Sequence, residues 1–309
     1  EQVELISGPG CPVCVTQVGF IDEAIYLALE RQVTICTFGD LVRVPGTNMS
    51  LAGARERGAK IRIVYSPVDA KEYAKEHPKE QVTFLSVGFE TTTPSACLSV
   101  KKAREEGLTN YSILTANKTM PQAYEALKGS ADIFLYPGHV NAITGTKLCE
   151  ELAKEGVSGV VAGFTAKELL TALAVALAWF QEGRPFFVNC YPRVVTENGS
   201  PQAQKLVEEM MEPCDSEWRG LGVIKGSGMR LQEEWSAFDA RKKYKIPLIQ
   251  GKANPACRCG DVLQGKCKPS DCKVFGNVCT PQHPVGACMV SGEGACSAYY
   301  MYGEAEKMK

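Results

Sequence analysis

The sequence of 309 residues lacks the features of a nucleic-acid-binding, membrane or secreted protein. Its formal net charge is -1, so there is no basic excess for nucleic acid or an anionic membrane surface. The longest apolar run, residues 169–180, is interrupted by Thr171 and is too short to span a bilayer, so we predict a buried helix there. The acidic start has no signal-peptide pattern.

The chain is also poor in familiar catalytic and nucleotide-binding motifs. It has no P-loop, and no GxGxxG segment follows a predicted strand; the glycines of residues 220–228 are in the wrong context. With only 3 histidines, no Ser/His/Asp triad can be argued. Nucleotide binding and serine-hydrolase chemistry are therefore not supported.

Short β-rich runs alternate with amphipathic helical stretches over the first 215 or so residues. Predicted strands lie at residues 3–6, 33–38, 60–65, 82–87, 111–115, 133–136, 157–162 and 186–190. Predicted helices lie at residues 15–30, 50–57, 68–77, 94–106, 121–128, 146–155, 166–182 and 202–211. The strands are almost wholly apolar, as in parallel sheets that helices cover on both faces, so we predict a three-layer α/β architecture.

The composition changes near residue 250, where Cys, Gly and Pro become dominant. We therefore predict α/β domains with mainly parallel sheets, followed by a small Cys-rich C-terminal module. The expected divisions are a first α/β domain at 1–77, a second at 78–185, returning strand and helix segments at 186–248, and the cysteine module at 249–309.

Half of the 14 cysteines lie in that module. They are Cys257, Cys259, Cys267, Cys272, Cys279, Cys288 and Cys296. Iron–sulfur clusters need four thiolates, whereas zinc ribbons usually use two CxxC pairs, and no CxxC pair occurs here. The spacing favours a cluster over zinc; buried free thiols or disulfides are the alternative. In a chain with α/β alternation, such cysteines indicate metal or redox chemistry in the cytoplasm, not a secreted disulfide scaffold.

A second thiol site lies near the start, in the segment Gly8-Pro-Gly-Cys11-Pro-Val-Cys14. Two cysteines at i and i+3 before a predicted helix can close a disulfide, and the helix dipole stabilises a thiolate there. This pattern favours a redox-active or metal-holding dithiol. Half of a zinc site and a purely structural role are the alternatives.

Two further loops follow predicted strand ends, which converge on one crevice in a doubly wound sheet. In Gly88-Phe-Glu90-Thr-Thr-Thr-Pro94, a Thr-rich turn is expected to cap a helix, and Glu90 could hydrogen-bond to a ligand. In Pro137-Gly-His139-Val-Asn, His139 could be a ligand or a proton donor. Simple helix capping and a structural histidine are the alternatives.

Short segments spread over nearly the whole chain carry a family resemblance. They are Gly8-Pro-Gly-Cys11-Pro-Val-Cys14, Gly88-Phe-Glu-Thr-Thr, Pro137-Gly-His139-Val-Asn, Trp235-Ser-Ala-Phe-Asp239, Cys257-Arg-Cys259-Gly-Asp-Val-Leu, Asp271-Cys272, Cys279-Thr-Pro, Gly286-Ala-Cys288-Met-Val and Glu293-Gly-Ala-Cys296. Together they resemble the HypD family, hydrogenase maturation factors of the [NiFe] system. Family members also carry a Cys-Gly-Thr-His-type segment upstream, whose cysteine is an expected iron ligand. This sequence does not contain it, so the sequence is either a fragment or that of a protein without this ligand.

The resemblance implies two α/β domains and a [4Fe-4S] module similar to that of ferredoxin–thioredoxin reductase. Transferred by position, the cluster ligands would be Cys257, Cys272, Cys279 and Cys296. Cys259 and Cys288 would form a redox-active disulfide beside the cluster. Cys11 and Cys14 would be a dithiol that faces the central cleft and transiently holds iron. The resemblance assigns no role to Cys267.

The resemblance also implies a function. Such proteins are monomeric alone and act with the small chaperone HypC as a scaffold, on which an iron ion receives CO and cyanide. The cyanide comes from the partner HypE, and the Fe(CN)2CO unit then passes to the hydrogenase. Two other hypotheses are a [4Fe-4S]-dependent protein disulfide reductase and a zinc-stabilised binding module without chemistry.

Overall fold

The computed structural model describes residues 3–303, in which the strands form three separate sheets. The strands are β1 (Thr34–Thr37), β2 (Ile61–Ile63), β3 (Val82–Gly88), β4 (Tyr111–Asn117), β5 (Phe134–Pro137), β6 (Gly159–Ala162), β7 (Phe187–Asn189), β8 (Met211–Trp218) and β9 (Gly222–Leu231). The first seven pair only in parallel, whereas β8 and β9 form an antiparallel hairpin. The predicted α/β class with mainly parallel sheets is confirmed.

Helices precede or follow each parallel strand. They are α1 (Pro12–Val15), α2 (Val18–Glu30), α3 (Leu51–Glu56), α4 (Pro67–Glu76), α5 (Thr93–Glu105), α6 (Met120–Ala126), α7 (Gly138–Thr144), α8 (Lys147–Lys154), α9 (Ala166–Phe180), α10 (Pro201–Met210), α11 (Ala240–Tyr244), α12 (Cys259–Leu263) and α13 (Ala295–Tyr302). Short 3-10 turns complete the chain, including one at Ala287–Met289.

The first sheet has the strand order β2-β1-β3-β4. Alternate residues of β3 enter two different cores: Val82 and Phe84 pack on one face, and Leu85 and Val87 on the other. This alternation follows from the two-residue period of a strand and gives the three-layer arrangement. Because β3 and β4 lie beyond residue 77 in the same sheet as β1, the boundary expected at 77/78 falls within one sheet.

The second sheet has the order β5-β6-β7. Val160 and Ala162 of β6 pack against Ala172 and Ala176 of α9 on one face. The opposite face, including Val161, belongs to a core that also contains residues of the first lobe and of the cysteine module. This shared core holds the three parts of the molecule together.

The hairpin β8–β9 was not predicted, because residues 215–248 show no clear hydrophobic period. It is fastened to the first lobe by Lys118, whose Nζ donates hydrogen bonds to Ser216 Oγ at 2.6 Å and to the carbonyl of Glu217 at 2.7 Å. Trp218 at its tip is fully buried and stacks on Phe89 with ring centroids 5.9 Å apart. Polar anchoring and one large aromatic side chain therefore position a hairpin that is only partly buried.

The cysteine module has little regular structure and is tied to the first lobe by polar contacts. Arg43 Nη1 donates to the carbonyl of Pro281 at 2.7 Å, and the backbone N–H of Lys252 donates to Thr47 Oγ1 at 2.8 Å. The module is therefore docked on the α/β part, not suspended from a free linker.

Two local predictions are wrong. Residues 3–6 are not a strand, because their side chains are exposed or half-exposed and no neighbouring strand pairs with them. Helix α9 is not buried: only Ala172 and Ala176 are inside, and Leu170 is 67% exposed. None of the helices within residues 3–303 combines the length and the apolarity needed to cross a lipid bilayer.

Candidate functional site

The Cys11–Cys14 pair forms its own one-turn helix, α1, whereas the sequence predicted a loop there, directly before the longer helix that is α2. Cys11 is the N-cap: its Sγ accepts a hydrogen bond from the backbone N–H of Cys14 at 3.2 Å. Pro12 follows at the first helical position, where its missing N–H costs nothing. The two cysteines are joined by a disulfide with a Cα–Cα distance of 5.3 Å, and both are buried.

Helix α1 packs directly on the cysteine module. Its residues contact the 3-10 turn Ala287–Met289, which carries Cys288, with Cα atoms within 8 Å. Cys11, Cys14, Cys259 and Cys288 all belong to one buried cluster. The fold thus brings together two cysteine pairs that are about 250 residues apart in sequence.

Six of the seven module cysteines line one cavity. They are Cys257, Cys259, Cys272, Cys279, Cys288 and Cys296. The remaining wall is largely apolar and includes Val262, Phe275 and Met289. Cys267, for which the resemblance gave no role, does not line the cavity.

The cavity has features that a sulfur-bound cluster needs. Cys279 Sγ accepts a hydrogen bond from the backbone N–H of Val285 at 3.3 Å, a contact that stabilises thiolate charge. Gly286 lets its loop approach Cys257, since a Cβ there would lie 2.5 Å from Cys257 Sγ. Among the described residues, no three potential ligands gather around a single metal ion. A four-iron cluster takes one thiolate at each iron, so ligands spread around a cavity fit it.

Cys259 and Cys288 are free, buried thiols that line the same cavity. The pKa of the Cys259 thiol is lowered, first by its hydrogen bond with Cys257 and then by that with Cys288; the positive charge of Arg219 lowers it further. The pKa of Cys288 is raised, first because it donates to Cys259. Both side chains border that cavity, and their disulfide stays a prediction.

Other cysteines have a different environment. Cys36 and Cys97 lie in the core beside the first sheet, and burial raises the pKa of each to about 12. Such thiols stay protonated and unreactive at neutral pH. Neither of them lines the cavity of the cysteine module, and this location separates them from the cysteines of the candidate site.

Glu90 follows β3 and is buried, and its neighbours Phe89 and Met120 belong to the core shared by the two lobes, here called the seam. Its Oε1 accepts a hydrogen bond from the backbone N–H of Met120 at 2.9 Å, and its Oε2 has no partner among the described residues. Burial raises the pKa of its carboxyl to about 7. The expected threonine cap is absent: Thr92 and Thr93 instead donate their hydroxyls to the carbonyl of Phe89.

Glu90 belongs to a group of buried polar side chains. Tyr124 and Tyr136 have ring centroids 4.6 Å apart, and neither hydroxyl has a partner among the described residues. The pKa of Tyr124 is raised by burial and then by the charges of Glu90, Cys149 and Tyr136. Unpaired polar atoms at one buried place are costly unless water or a ligand joins them.

His139 lies in the first turn of α7 and is exposed. Its ring stacks on Phe164, which follows β6, with centroids 4.3 Å apart. It is therefore near the carboxyl ends of β5 and β6, where the sequence predicted it, and it is open to a partner or ligand. Its chemical role stays a prediction.

Three residues at the site were not found by sequence reasoning: Lys118, Trp218 and Arg219. Lys118 is buried, and desolvation lowers the pKa of its amino group to about 7. The sequence Trp218-Arg219-Gly220 matches no general chemical motif. Only the unusual juxtaposition of a tryptophan, an arginine and a glycine before a Gly-rich run could have drawn attention to it.

Comparison with known proteins gives concordant matches. The family model HypD, described as "Hydrogenase formation hypA family", matches residues 1–303. The chain is 41% identical to hydrogenase maturation factor HypD of Cupriavidus necator, over 98% of this chain and 83% of the relative. It is 43% identical to that of Rhizobium leguminosarum bv. viciae, over 97% and 82%, and 41% identical to that of Escherichia coli K12, over 99% and 84%.

Proposed function

The chain belongs to the HypD family of hydrogenase maturation factors, and from this membership we propose that it is the scaffold on which the Fe(CN)2CO unit of [NiFe] hydrogenase is assembled. The observation that carries the proposal is the packing of α1, with Cys11 and Cys14, on the turn that carries Cys288. The matched relatives are named as maturation factors, which favours this function over a general disulfide reductase.

The iron unit is the cargo, and the Cys11/Cys14 pair is its holding site. In the dithiol form these residues offer two soft thiolates, which suit iron that carries CO and cyanide. In the disulfide form they cannot bind it. Because both cysteines are buried, the cargo can reach them only when the lobes or the module move apart.

The two cysteine pairs exchange electrons by thiol–disulfide chemistry. A thiolate of the reduced Cys259/Cys288 pair attacks one sulfur of the Cys11–Cys14 disulfide, and the other sulfur leaves as a thiolate. The second thiol of the attacking pair then displaces the mixed disulfide. Two electrons and two protons pass in total: Cys259 and Cys288 end as a disulfide, and Cys11 and Cys14 end as a dithiol.

Cys257, Cys272, Cys279 and Cys296 would hold a [4Fe-4S] cluster, which when bound supplies single-electron transfer beside the second cysteine pair. The apolar cavity wall excludes water around these thiols, and the N–H of Val285 stabilises charge on Cys279. Glu90 holds a proton near neutral pH at the seam, where thiol chemistry consumes and releases protons.

The protein partners in this proposal are a HypC-type chaperone and a HypE-type cyanide donor. The docking site for the chaperone lies on helix α9 in this proposal. It has no charged residue after Glu168, and Leu170, Ala174 and Ala178 are exposed at four-residue spacing. The exposed apolar surface continues to Phe164, which touches His139 at the strand ends. A surface of this kind is typical of a protein interface.

The test is infrared spectroscopy of the full chain purified without oxygen together with a HypC-type chaperone and a HypE-type donor. Wild-type protein should show bands of iron-bound CO and cyanide. Cys259→Ala or Cys288→Ala should lose them, because the exchange cannot occur. Cys267→Ala is the matched control, since this cysteine is in the same module but outside the cavity, and it should keep the bands. Bands of normal intensity in both Cys259→Ala and Cys288→Ala would contradict the exchange.

A further inference from the structure

Arg219 lies at the tip of the β8–β9 hairpin, against the end of α1. Its backbone N–H donates to the carbonyl of Val15 at 2.8 Å, and its Nε donates to the carbonyl of Thr16 at 2.9 Å. These two bonds fix the guanidinium beside the helix that carries Cys11 and Cys14.

The same hairpin tip touches the helix that carries Cys259. The backbone at Gly220 packs on Gly260 so closely that a Cβ on Gly260 would lie 2.7 Å from the Cα of Gly220. Gln264 Nε2 donates to the carbonyl of Gly220 at 2.6 Å. Arg219 therefore lies where the end of α1, the helix of the first cysteine pair, and α12, the helix that begins with Cys259, both meet the hairpin tip.

The charge of Arg219 is not neutralised within the described part of the chain. Its Nη2 is shielded from solvent and has no hydrogen-bond partner there. No carboxylate of residues 3–303 lies within ion-pairing distance of it. Arg241, by comparison, is paired with Glu23 at 2.7 Å. A shielded guanidinium donor without a partner is costly, and an anion would remove that cost.

We propose that Arg219 binds a small monovalent anion, of the class to which cyanide belongs, between the Cys11/Cys14 and Cys259/Cys288 pairs. The choice of cyanide among such anions rests on the proposed function. The ligand must be small, because the neighbouring Trp218 is fully buried and belongs to the same buried cluster as Cys11 and Cys14. It must carry one charge, because the nearby cation Lys118 already donates to Ser216 and Glu217. The binding is noncovalent, and the guanidinium stabilises the anionic form of the ligand.

The test is calorimetric titration of the full chain, purified without oxygen, with sodium thiocyanate at constant ionic strength. Wild-type protein should bind one thiocyanate saturably. Arg219→Gln should weaken binding at least about tenfold, since the charge-assisted donor is lost. Arg219→Lys should weaken it only about threefold, because it keeps the charge without the fork of donors.

The matched control is Arg230→Gln, on the same hairpin. Arg230 is exposed and already paired with Glu212 at 2.8 Å, so its loss should leave thiocyanate affinity unchanged. Absence of saturable binding to wild-type protein, or equal affinity of the wild type and Arg219→Gln, would overturn the proposal. Equal losses of thiocyanate affinity in Arg219→Gln and Arg230→Gln would also overturn the proposal. Infrared bands on the chaperone complex of the same preparation report separately on the proposed function, so the failure of one is distinguishable from the failure of the other.

Discussion

At the scale of single residues, the site depends on groups whose protonation is altered by burial. Lys118 loses much of its preference for the charged form, and Glu90 keeps its proton to higher pH than usual. Both follow strands of the first sheet: Glu90 comes after β3 and Lys118 directly after β4. Groups that titrate near neutral pH in a buried seam can exchange protons with thiols, which an exposed carboxylate could not do as readily.

Glu90 gives a prediction for stability against pH. Its pKa is about 7 in the folded protein, against 4.5 when unperturbed. The contribution of Glu90 to the unfolding free energy is therefore complete below pH 4.5 and is lost as the pH rises through 7. Relative to Glu90→Gln, the wild type should lose about 2 to 3 kcal/mol of unfolding free energy between about pH 5 and about pH 8. Urea unfolding at several pH values measures this.

Glu125→Gln is the control for that experiment, because Glu125 is exposed on α6 and close in sequence. The unfolding free energy of Glu125→Gln should depend on pH in the same way as that of the wild type. If the unfolding free energy of Glu90→Gln also follows the wild type at every pH, Glu90 is not a buried acid with a raised pKa.

At the scale of elements, the β8–β9 hairpin is the part that joins the two cysteine pairs. Its tip contacts the end of α1 through Arg219 and the backbone of α12 through Gly220. Gly220 has φ of 81°, a backbone conformation that favours glycine, and it also has no room for a side chain. Two separate requirements thus fix glycine at this position.

The hairpin contact predicts different effects for two glycines of the same turn. Gly220→Ala should destabilise the protein by about 2 to 4 kcal/mol, because the new Cβ meets Gly260 in addition to the backbone strain. Gly222 has a similar φ of 77° but open space around it, so Gly222→Ala should cost only about 1 kcal/mol. Urea unfolding of both variants measures the difference. Equal losses would mean that the hairpin tip does not pack on α12.

At the scale of the whole molecule, two α/β lobes and the cysteine module share one core. That core contains Tyr136 of the second sheet, Phe89 after the first sheet, and Cys259 and Cys288 of the module. Movement of any one part must change the surroundings of the other two. The outer surface of the second lobe, by contrast, exposes the apolar face of α9 and is free to receive a partner without disturbing this core.

The exposed face of α9 predicts a selective effect on assembly. Leu170→Glu should change the unfolding free energy by no more than about 0.5 kcal/mol, because Leu170 is 67% exposed. It should weaken binding of the HypC-type chaperone more than about tenfold, since a charge would enter an apolar contact. Biolayer interferometry with the purified chaperone measures the affinity. Leu248→Glu, at a site 91% exposed outside α9, should bind normally; equal weakening by both changes would argue against α9 as the docking surface.

Much of the α/β frame could be predicted because it depends on local patterns. The apolar runs of β3 and β4 and the periodic helix α5 were placed within a few residues. The burial of helix α9 was predicted wrongly. Its continuous apolar sequence predicts a buried helix, whereas only two of its alanines are buried. The hydrophobic pattern gave the type of these elements, but whether a neighbour covers an element depends on the rest of the fold.

The sequence by itself determined which chemical groups the protein has. The positions and spacings of the cysteines, the acid after β3 and the motifs of a recognisable family can all be identified from the order of residues. Only the tertiary structure decided which groups meet. It placed Cys288 against α1, set Arg219 between the cysteine pairs without a counter-charge, and buried Glu90 beside two tyrosines. The physical reason is that the contacts, burial and electric fields that tune these groups come from residues far away in the chain, which no local pattern specifies.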